Sequence, residues 1–369
     1  MKVLIVIPSF YPAITYGGSI FASYYLTKEA AKMNINFCVS TTNANGKNKL
    51  DVIPNKLIEL NNFKIKYYDE FITNYLSFKL IFGIWKDIRI NDLIHLQGVY
   101  SYPIPFVLFY SFILNKKIFF SPRGSLSSYS FSKNSLIKKI WINLFIRPFS
   151  KKIIWHATSQ KEKNEINNFF PKSKIKIIQD GVYVEDFKFT KKENYIAALG
   201  RLHPVKGFDL LIKAFSYVSK IKPNFFLKIA GSDDGDLNRL KKIVAEHSLD
   251  EKVLFIGQLN VKEKNIFLRK SQCLVMPSHT ENFGIVALEA LSQGTPVIAS
   301  KNTPWQIIEN RNAGYWIENN INQISNSIIR IINNKQTNYK ENCINLAKEF
   351  DWMHIAKLYK KELINITNE

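Results

Sequence analysis

Short continuous apolar runs punctuate the first half of the chain. "KVLIVIPSF", "INFCVSTT", "DLIHLQGV", "KKIFFSPRGS", "KIIWHATS" and "KIKIIQDGV" read as buried strands that run into loops. Between them, helical patterns extend from about Ser19 to Met33, through "LSFKLIFGIWKDIRI", and through "SLIKKIWINLFIRPF" to an end near Pro148. Alternating strands and helices predict a parallel sheet with helices on both faces. After a charged stretch near Lys191 the pattern restarts. "NYIAALGRL", "NFFLKIAGSDDG", "KVLFIGQL", "QCLVMPS" and "TPVIAS" predict a second parallel sheet, and "FDLLIKAFSYVSK" carries a clear helical period. The class is α/β with two doubly wound domains, and the boundary falls within residues 181–193. Ligands of such sheets bind at the carboxyl ends of the strands. Two facing sheets would enclose a cleft.

Composition bounds the picture. The chain has 369 residues, 46% of them hydrophobic, enough for two cores of roughly 150 to 200 residues each. "IPFVLFYSFIL" falls short of the ~18 apolar residues of a membrane span. "MKVLIVIPSFYP" has too short an apolar run for a secretory signal and reads as a first strand. Cys38, Cys273 and Cys343 are scattered and suit free thiols in a reducing cytoplasm. The net charge of +21 fits nucleic acid, an anionic membrane surface or phosphorylated substrates. It fits codon bias equally, since Lys, Asn and Ile crowd the chain. A local excess says more. Between Asn115 and Lys176 the only acids are Glu162 and Glu165, against Lys116, Lys117, Arg123, Lys133, Lys138, Lys139, Arg147, Lys151 and Lys152. The segment from about Ser135 to Phe149 sets cations beside Trp141, Phe145 and Phe149. It suits docking on an anionic inner leaflet, or packing of its apolar stripe on the first sheet.

Three stretches carry candidate chemistry. "GRLHPVKG" sets Arg201 and Lys206 on one short loop, suited to a diphosphate or simply to solvent. In "PSHTENFGIVALEA", Gly284 opens a helix whose first amides, at Gly284, Ile285 and Val286, can receive phosphate oxygens. Glu281 precedes that helix and Glu289 lies ~7.5 Å of rise beyond Gly284. The two carboxylates could grip two parts of one elongated ligand through vicinal hydroxyls, or be a helix-start charge and a solvated face. Gly17-Gly18 after the first strand allows close approach of backbone, or a turn. Asp233, Asp234 and Asp236 in "SDDGD" invite a magnesium reading beside that of a polar loop.

Gly17-Gly18, "GRLHPVKG", "AGSDDG", "LFIGQL", "PSHTENFGIVALEA" and "GTPVIA", in this order over nearly the whole chain, resemble the retaining family-4 glycosyltransferases of the GT-B fold. "HLQGVYSYP", "SPRGSL", "HATS" and "TPWQII" look like the bacterial subgroup that builds surface polysaccharides. The resemblance implies two Rossmann-like domains facing across a cleft: an acceptor domain over 1–185, a nucleotide-sugar domain over 186–350, and a helix over 351–369 that returns to the first. It implies transfer of a hexose or N-acetylhexosamine from a nucleotide-diphosphate sugar, a UDP-sugar by preference. The acceptor would be a growing lipid-linked glycan, as in O-antigen, capsule or exopolysaccharide synthesis at the cytoplasmic face of the membrane. By the same resemblance, Glu281 meets the donor sugar and Glu289 the ribose. Arg201 and Lys206 neutralise the diphosphate, as the catalytic cations beside Glu281. Backbone at Gly284, Ile285 and Val286 completes the phosphate site, Leu259 lies beside the base, and Gly17, Gly18 and Phe283 join the donor site. His95 and Arg123 lie near the acceptor or donor sugar. Arg123 stands where many relatives have His, and Asp180, where Asn is frequent, is assigned to the hinge. With fixed cations at the leaving group, no metal or other cofactor is expected. Two other readings remain: a GT-B epimerase or phosphorylase, distinguished by product, and a nucleic-acid binder, for which the chain shows no recognition motif.

Overall fold

The computed structural model describes every residue except Ile14, Tyr16, 72–74, Lys133, 186–189 and Lys335. The chain forms two compact units, Met1–Gly181 with Trp352–Glu369, and Val182–Asp351.

The strands of the first unit are β1 (Lys2–Ser9), β2 (Asn36–Thr42), β3 (Ala44–Asn45), β4 (Asn48–Lys49), β5 (Leu57–Leu60), β6 (Phe63–Tyr68), β7 (Leu93–Gln97), β8 (Lys117–Ser121), β9 (Ile153–Ala157) and β10 (Ile175–Ile177). β3 and β4 form a small ribbon, and the main sheet runs β10-β9-β8-β7-β1-β2-β6-β5. Its order reverses between β7 and β1, so the loops after these two strands flank the switch point. Every residue of β7 is buried, as expected of a parallel strand covered on both faces. Leu4, Val6, Ile94, Leu96, Phe120 and Trp155 fill one side of this core.

Three features depart from the pattern reading. β5 and β6 form an antiparallel hairpin around Asn61 and Asn62, at φ 48° and 66°, a turn geometry that asparagine tolerates. The run "PIPFVLFYSFI" is a helix, Pro103–Ile113. Its uniform hydrophobicity hides the helical period, because the outward positions are apolar too. The helix read to Pro148 is α-helical only over Ser135–Trp141; a π turn follows over Ile142–Ile146 and a 3-10 turn over Arg147–Lys152. Pro148 has no N–H to offer an α-helical turn.

The helix Trp352–Asn368 packs against Gly18–Ala31 in the first unit. It buries Trp352, Ile355, Ala356, Tyr359, Leu363 and Ile366 along one stripe.

The second unit contains β11 (Tyr195–Leu199), β12 (Phe226–Ala230), β13 (Val253–Gly257), β14 (Leu274–Met276), β15 (Val297–Ser300) and β16 (Gly314–Ile317). The order is β13-β12-β11-β14-β15-β16, and the pairs are parallel. Its switch point lies between β11 and β14. β11 runs into the Arg201–Lys206 loop and β14 into the Glu281 loop, so the sheet itself brings the two stretches together. Among the described residues, no helix is long and apolar enough to cross a membrane.

Candidate active site

Gly207, at φ 65°, docks the β11 loop on the β14 loop: a Cβ there would lie 2.2 Å from the Pro277 carbonyl oxygen. His279 N–H also donates to the Val205 carbonyl at 2.8 Å. The contact places Lys206, at the end of the 3-10 turn Pro204–Lys206, against Glu281. Lys206 Nζ lies 2.5 Å from Glu281 Oε1, and Ser278 Oγ donates to the same oxygen at 2.8 Å. Both side chains of the ion pair are largely enclosed, so it loses less to solvent screening than a surface pair does.

Arg201 makes a different contact. Its Nη1 donates to Asp234 Oδ2 at 2.6 Å, with both side chains well exposed. The pair therefore yields readily to a stronger anion. "SDDGD" is built around such internal work. Asp233 Oδ1 accepts from the N–H groups of Gly235, Asp236 and Leu237, and Asp236 forks onto Arg239 at 2.6 and 2.9 Å. Among the described residues, no group of three His, Cys, Asp or Glu side chains is arranged to hold a metal ion.

The helix Ile285–Ser292 starts at Gly284, whose φ of 76° suits glycine. No side chain caps this end, so its first amides remain donors beside the positive end of the helix dipole. A Cβ on Gly284 would crowd Met276 Sδ at 3.2 Å and Trp305 Nε1 at 3.3 Å. Trp305 also donates to the Phe283 carbonyl at 2.6 Å. Its role in fixing this corner was not legible in "TPWQII". The Phe283 ring is buried against Trp305 and Phe350, so it braces the corner. Leu259 is half-buried after β13, against the same core. Glu289, in the second turn of the helix, pairs with Lys264 at 2.5 Å, a partner that sequence reasoning did not name.

In the first unit, Gly17 caps the helix Gly18–Ala31 at φ 83° and has open space where a Cβ would stand. Arg123 is turned inward, with Nη1 2.6 Å from Asp180 Oδ1 and side-chain exposures of 8% and 9%. The buried guanidinium and carboxylate satisfy one another, which gives Asp180 an ion-pair role within the first unit. Gly124 N–H beside it donates to buried Glu162 at 2.8 Å. Burial raises the pKa of Glu162.

His95 is fully buried in β7. Its Nδ1 lies 2.6 Å from Tyr359 Oη and its Nε2 2.7 Å from Ser121 Oγ. Ser121 Oγ also meets His156 Nδ1 at 2.6 Å, and His156 Nε2 donates to the Ile178 carbonyl at 2.9 Å. His95 therefore ties β7 to β8 and to the Trp352–Asn368 helix. Burial first, and then the Arg123 charge, press the His156 pKa down to about 3; burial also holds His95 well below its usual range. With a folded pKa below the unfolded one, the neutral ring stabilises the fold above pH ~6.5, and that contribution fades as pH falls toward 3. Against the parent protein, His156→Gln should show its largest stability deficit near pH 7.5. The deficit should close by ~1.4 kcal/mol per pH unit below pH ~6.5, as read by urea unfolding at stepped pH.

Residues 182–350 match the family described as "Glycosyl transferases group 1". An uncharacterized glycosyltransferase of Haemophilus influenzae is 29% identical over 216 residues, which cover 57% of this chain and 59% of that protein. The chain spans about three fifths of the length of the curated relatives it matches. Among solved structures, Anabaena HepE in complex with UDP and glucose superposes with a TM-score of 0.76 at 18% identity, covering 99% of this chain and 100% of that one. WaaG, a glycosyltransferase involved in lipopolysaccharide biosynthesis, superposes at 0.71 with 14% identity, covering 97% and 98%. At such identities the likeness speaks for the fold, which is GT-B with two Rossmann-like units. Within that fold, the match to the group 1 glycosyl transferases lies in the second unit, at residues 182–350 of Val182–Asp351.

Proposed function

We propose that this chain is a retaining glycosyltransferase that moves a hexose or N-acetylhexosamine from a UDP-sugar to a hydroxyl of a growing, lipid-linked glycan. The observation that carries the reading is the Lys206–Glu281 pair beside the uncapped start of the Ile285–Ser292 helix, at the switch point of the second sheet. In the reaction, the bond between the anomeric carbon and the diphosphate oxygen breaks, and its electron pair leaves with the diphosphate. The acceptor oxygen bonds to that carbon and its proton passes to the departing phosphate. Lys206, the helix amides and Arg201, exchanged from Asp234, stabilise the charge that develops there. Glu281 holds the sugar, Glu289 the ribose, and backbone near Leu259 the base. The open space beside Gly17 lets a ligand come close to backbone there, in keeping with the donor-site role of Gly17 and Gly18. Solved neighbours of this fold hold UDP, UDP and glucose, or UDP-glucose, which favours a UDP-sugar donor.

The experiment is a thermal-stability screen of UDP, GDP, ADP and their sugars with excess chelator present. A ligand that binds only the folded state raises the melting temperature. A UDP-sugar should stabilise most and then transfer its sugar under the same conditions. Stabilisation by no nucleoside diphosphate, or transfer only after magnesium or manganese is restored, would overturn the donor site or its independence of metal.

Membrane docking belongs to the same reading, with one change from the sequence expectation. Trp141, Phe145 and Phe149 are half-buried, and Trp141 donates to the Val99 carbonyl at 2.9 Å. Lys138 turns back to the Ser130 carbonyl and the Tyr100 ring; Lys133 lies outside the described residues. The exposed side chains are instead Leu136, Ile137, Ile140 and Leu144, each at least 55% open, beside Phe106, Phe109 and Phe112 of the neighbouring helix. Lys139, Arg147, Lys151 and Lys152 are exposed on the same segment. An apolar face with a basic margin suits an anionic bilayer, at ~1 kcal/mol per cation near its surface. Co-sedimentation with anionic vesicles should fall with salt and when Lys139, Arg147 and Lys151 are replaced by Glu. It should fall further when Leu136 and Ile137 become Ser. No binding at low salt would leave a soluble acceptor.

A further inference from the structure

Glu289 leaves a helix whose neighbouring side chains, Ala287, Leu288, Ala290 and Leu291, are buried. Its carboxylate is only partly enclosed, and Lys264 Nζ meets Oε1 at 2.5 Å, with side-chain exposures of 21% for Lys264 and 18% for Glu289. Lys264 is itself well founded. It stands in the first turn of the helix Val261–Lys270, whose start is fixed by a reciprocal capping box between Asn260 and Glu263. Glu289 Oε2, in contrast, accepts no hydrogen bond among the described residues. The arrangement repeats that of the other glutamate, where Lys206 holds Glu281 Oε1 from a different element at the same 2.5 Å.

We propose that Lys264 is a positioning residue for nucleotide recognition: by holding Oε1 it fixes the rotamer of Glu289 and aims Oε2 at the ribose hydroxyls of a nucleoside diphosphate. The proposal rests on the reading that Glu289 meets the ribose. Two physical consequences follow from the pair. A carboxylate already locked loses less rotamer freedom when the diol arrives. A carboxylate already neutralised repels the diphosphate of the same ligand less. Lys264 thus acts on affinity and on sugar discrimination, and not on the breaking of the anomeric bond.

The test is calorimetry with UDP and 2′-deoxy-UDP, or the GDP or ADP pair should the stability screen prefer that base, on the full chain and on Lys264→Met, Lys264→Arg and Glu289→Ala. The parent protein should prefer the ribonucleotide. Lys264→Met should bind it ~10-fold more weakly, the scale of one charge-assisted contact, with the preference over the deoxynucleotide reduced toward one. Turnover at saturating donor should stay within about twofold, and Lys264→Arg should restore most of the affinity. Equal losses for ribo- and deoxynucleotide in Lys264→Met, or parental affinity in that variant, would overturn the proposal while leaving Glu289 in its role. A parent protein that does not distinguish the two nucleotides, with Glu289→Ala behaving alike, would instead remove the ribose reading on which it stands.

Discussion

Lys206→Ala should transfer sugar at least ~100-fold more slowly than the parent protein, the scale for losing one preorganised charge at a leaving group. The fold should survive, because Lys206 is the last residue of a short turn and its ammonium is not part of a core. The turn is held by other contacts: His203 accepts from Val205 N–H, and Gly207 packs on Pro277. The loss should fall on turnover more than on UDP binding, because charge on the diphosphate grows as the anomeric bond breaks. Glu281→Gln supplies a contrast on the other side of the same contact. It should damage transfer more than it weakens free UDP, since UDP carries no sugar for Glu281 to hold. Steady-state transfer assays with calorimetry on the same preparations check both. A folded Lys206→Ala protein with near-parental turnover would remove Lys206 from the leaving-group site.

Arg123→Ala should cost ~3–5 kcal/mol of stability, the usual penalty for breaking a buried ion pair from one side. The cause is Asp180, whose carboxylate would stay enclosed with its main cation gone. Gln97 and Ser23 stand near the guanidinium, but at 3.4 and 3.5 Å they are weak partners. Removing both charges should be milder than removing one. Arg123→Met combined with Asp180→Leu should recover most of the loss, because apolar groups of similar volume carry no desolvation penalty. Denaturant unfolding of the two single variants and the double variant reads the coupling directly. A single-variant loss below ~1 kcal/mol would mean that the pair behaves as a surface contact, and that Arg123 is available to a ligand after all.

The sheets were legible because their strands are short continuous apolar runs, which only a covered parallel sheet explains well. "PIPFVLFYSFI" was not, because a helix apolar on its outer face carries no phase to detect. The loops around Lys206 and Glu281 were legible as chemistry through residue type and spacing. Their mutual contact depends on the strand order β11-β14, which joins residues 75 positions apart. The same distance problem hid Lys264, 25 residues from Glu289, and the Arg123–Asp180 pair, 57 apart. The burial of Phe283 was not legible, because an aromatic next to a helix-opening glycine suits a ligand wall and a buried brace equally. Trp305, 22 residues further on, is the partner it packs against. The structural tie made by His95 was hidden for a similar reason: its partner Tyr359 is 264 residues away.

That last separation bears on the order in which the protein can assemble on a ribosome. Val182–Asp351 is one uninterrupted stretch. Its two ends lie side by side, with Val182 N–H bonded to the Phe350 carbonyl at 2.9 Å. The second unit can therefore close as soon as its own residues have emerged. The first unit begins earlier but lacks Trp352, Ile355 and Tyr359 until the final stretch is made. Until then the Nδ1 of His95 has no hydroxyl partner and the helix Gly18–Ala31 has an uncovered apolar side. Domains usually mature from the amino end during synthesis. Here the part synthesised first is completed last, and chains ending at residue 351, once released from the ribosome, should combine a protease-resistant second unit with a protease-sensitive first one.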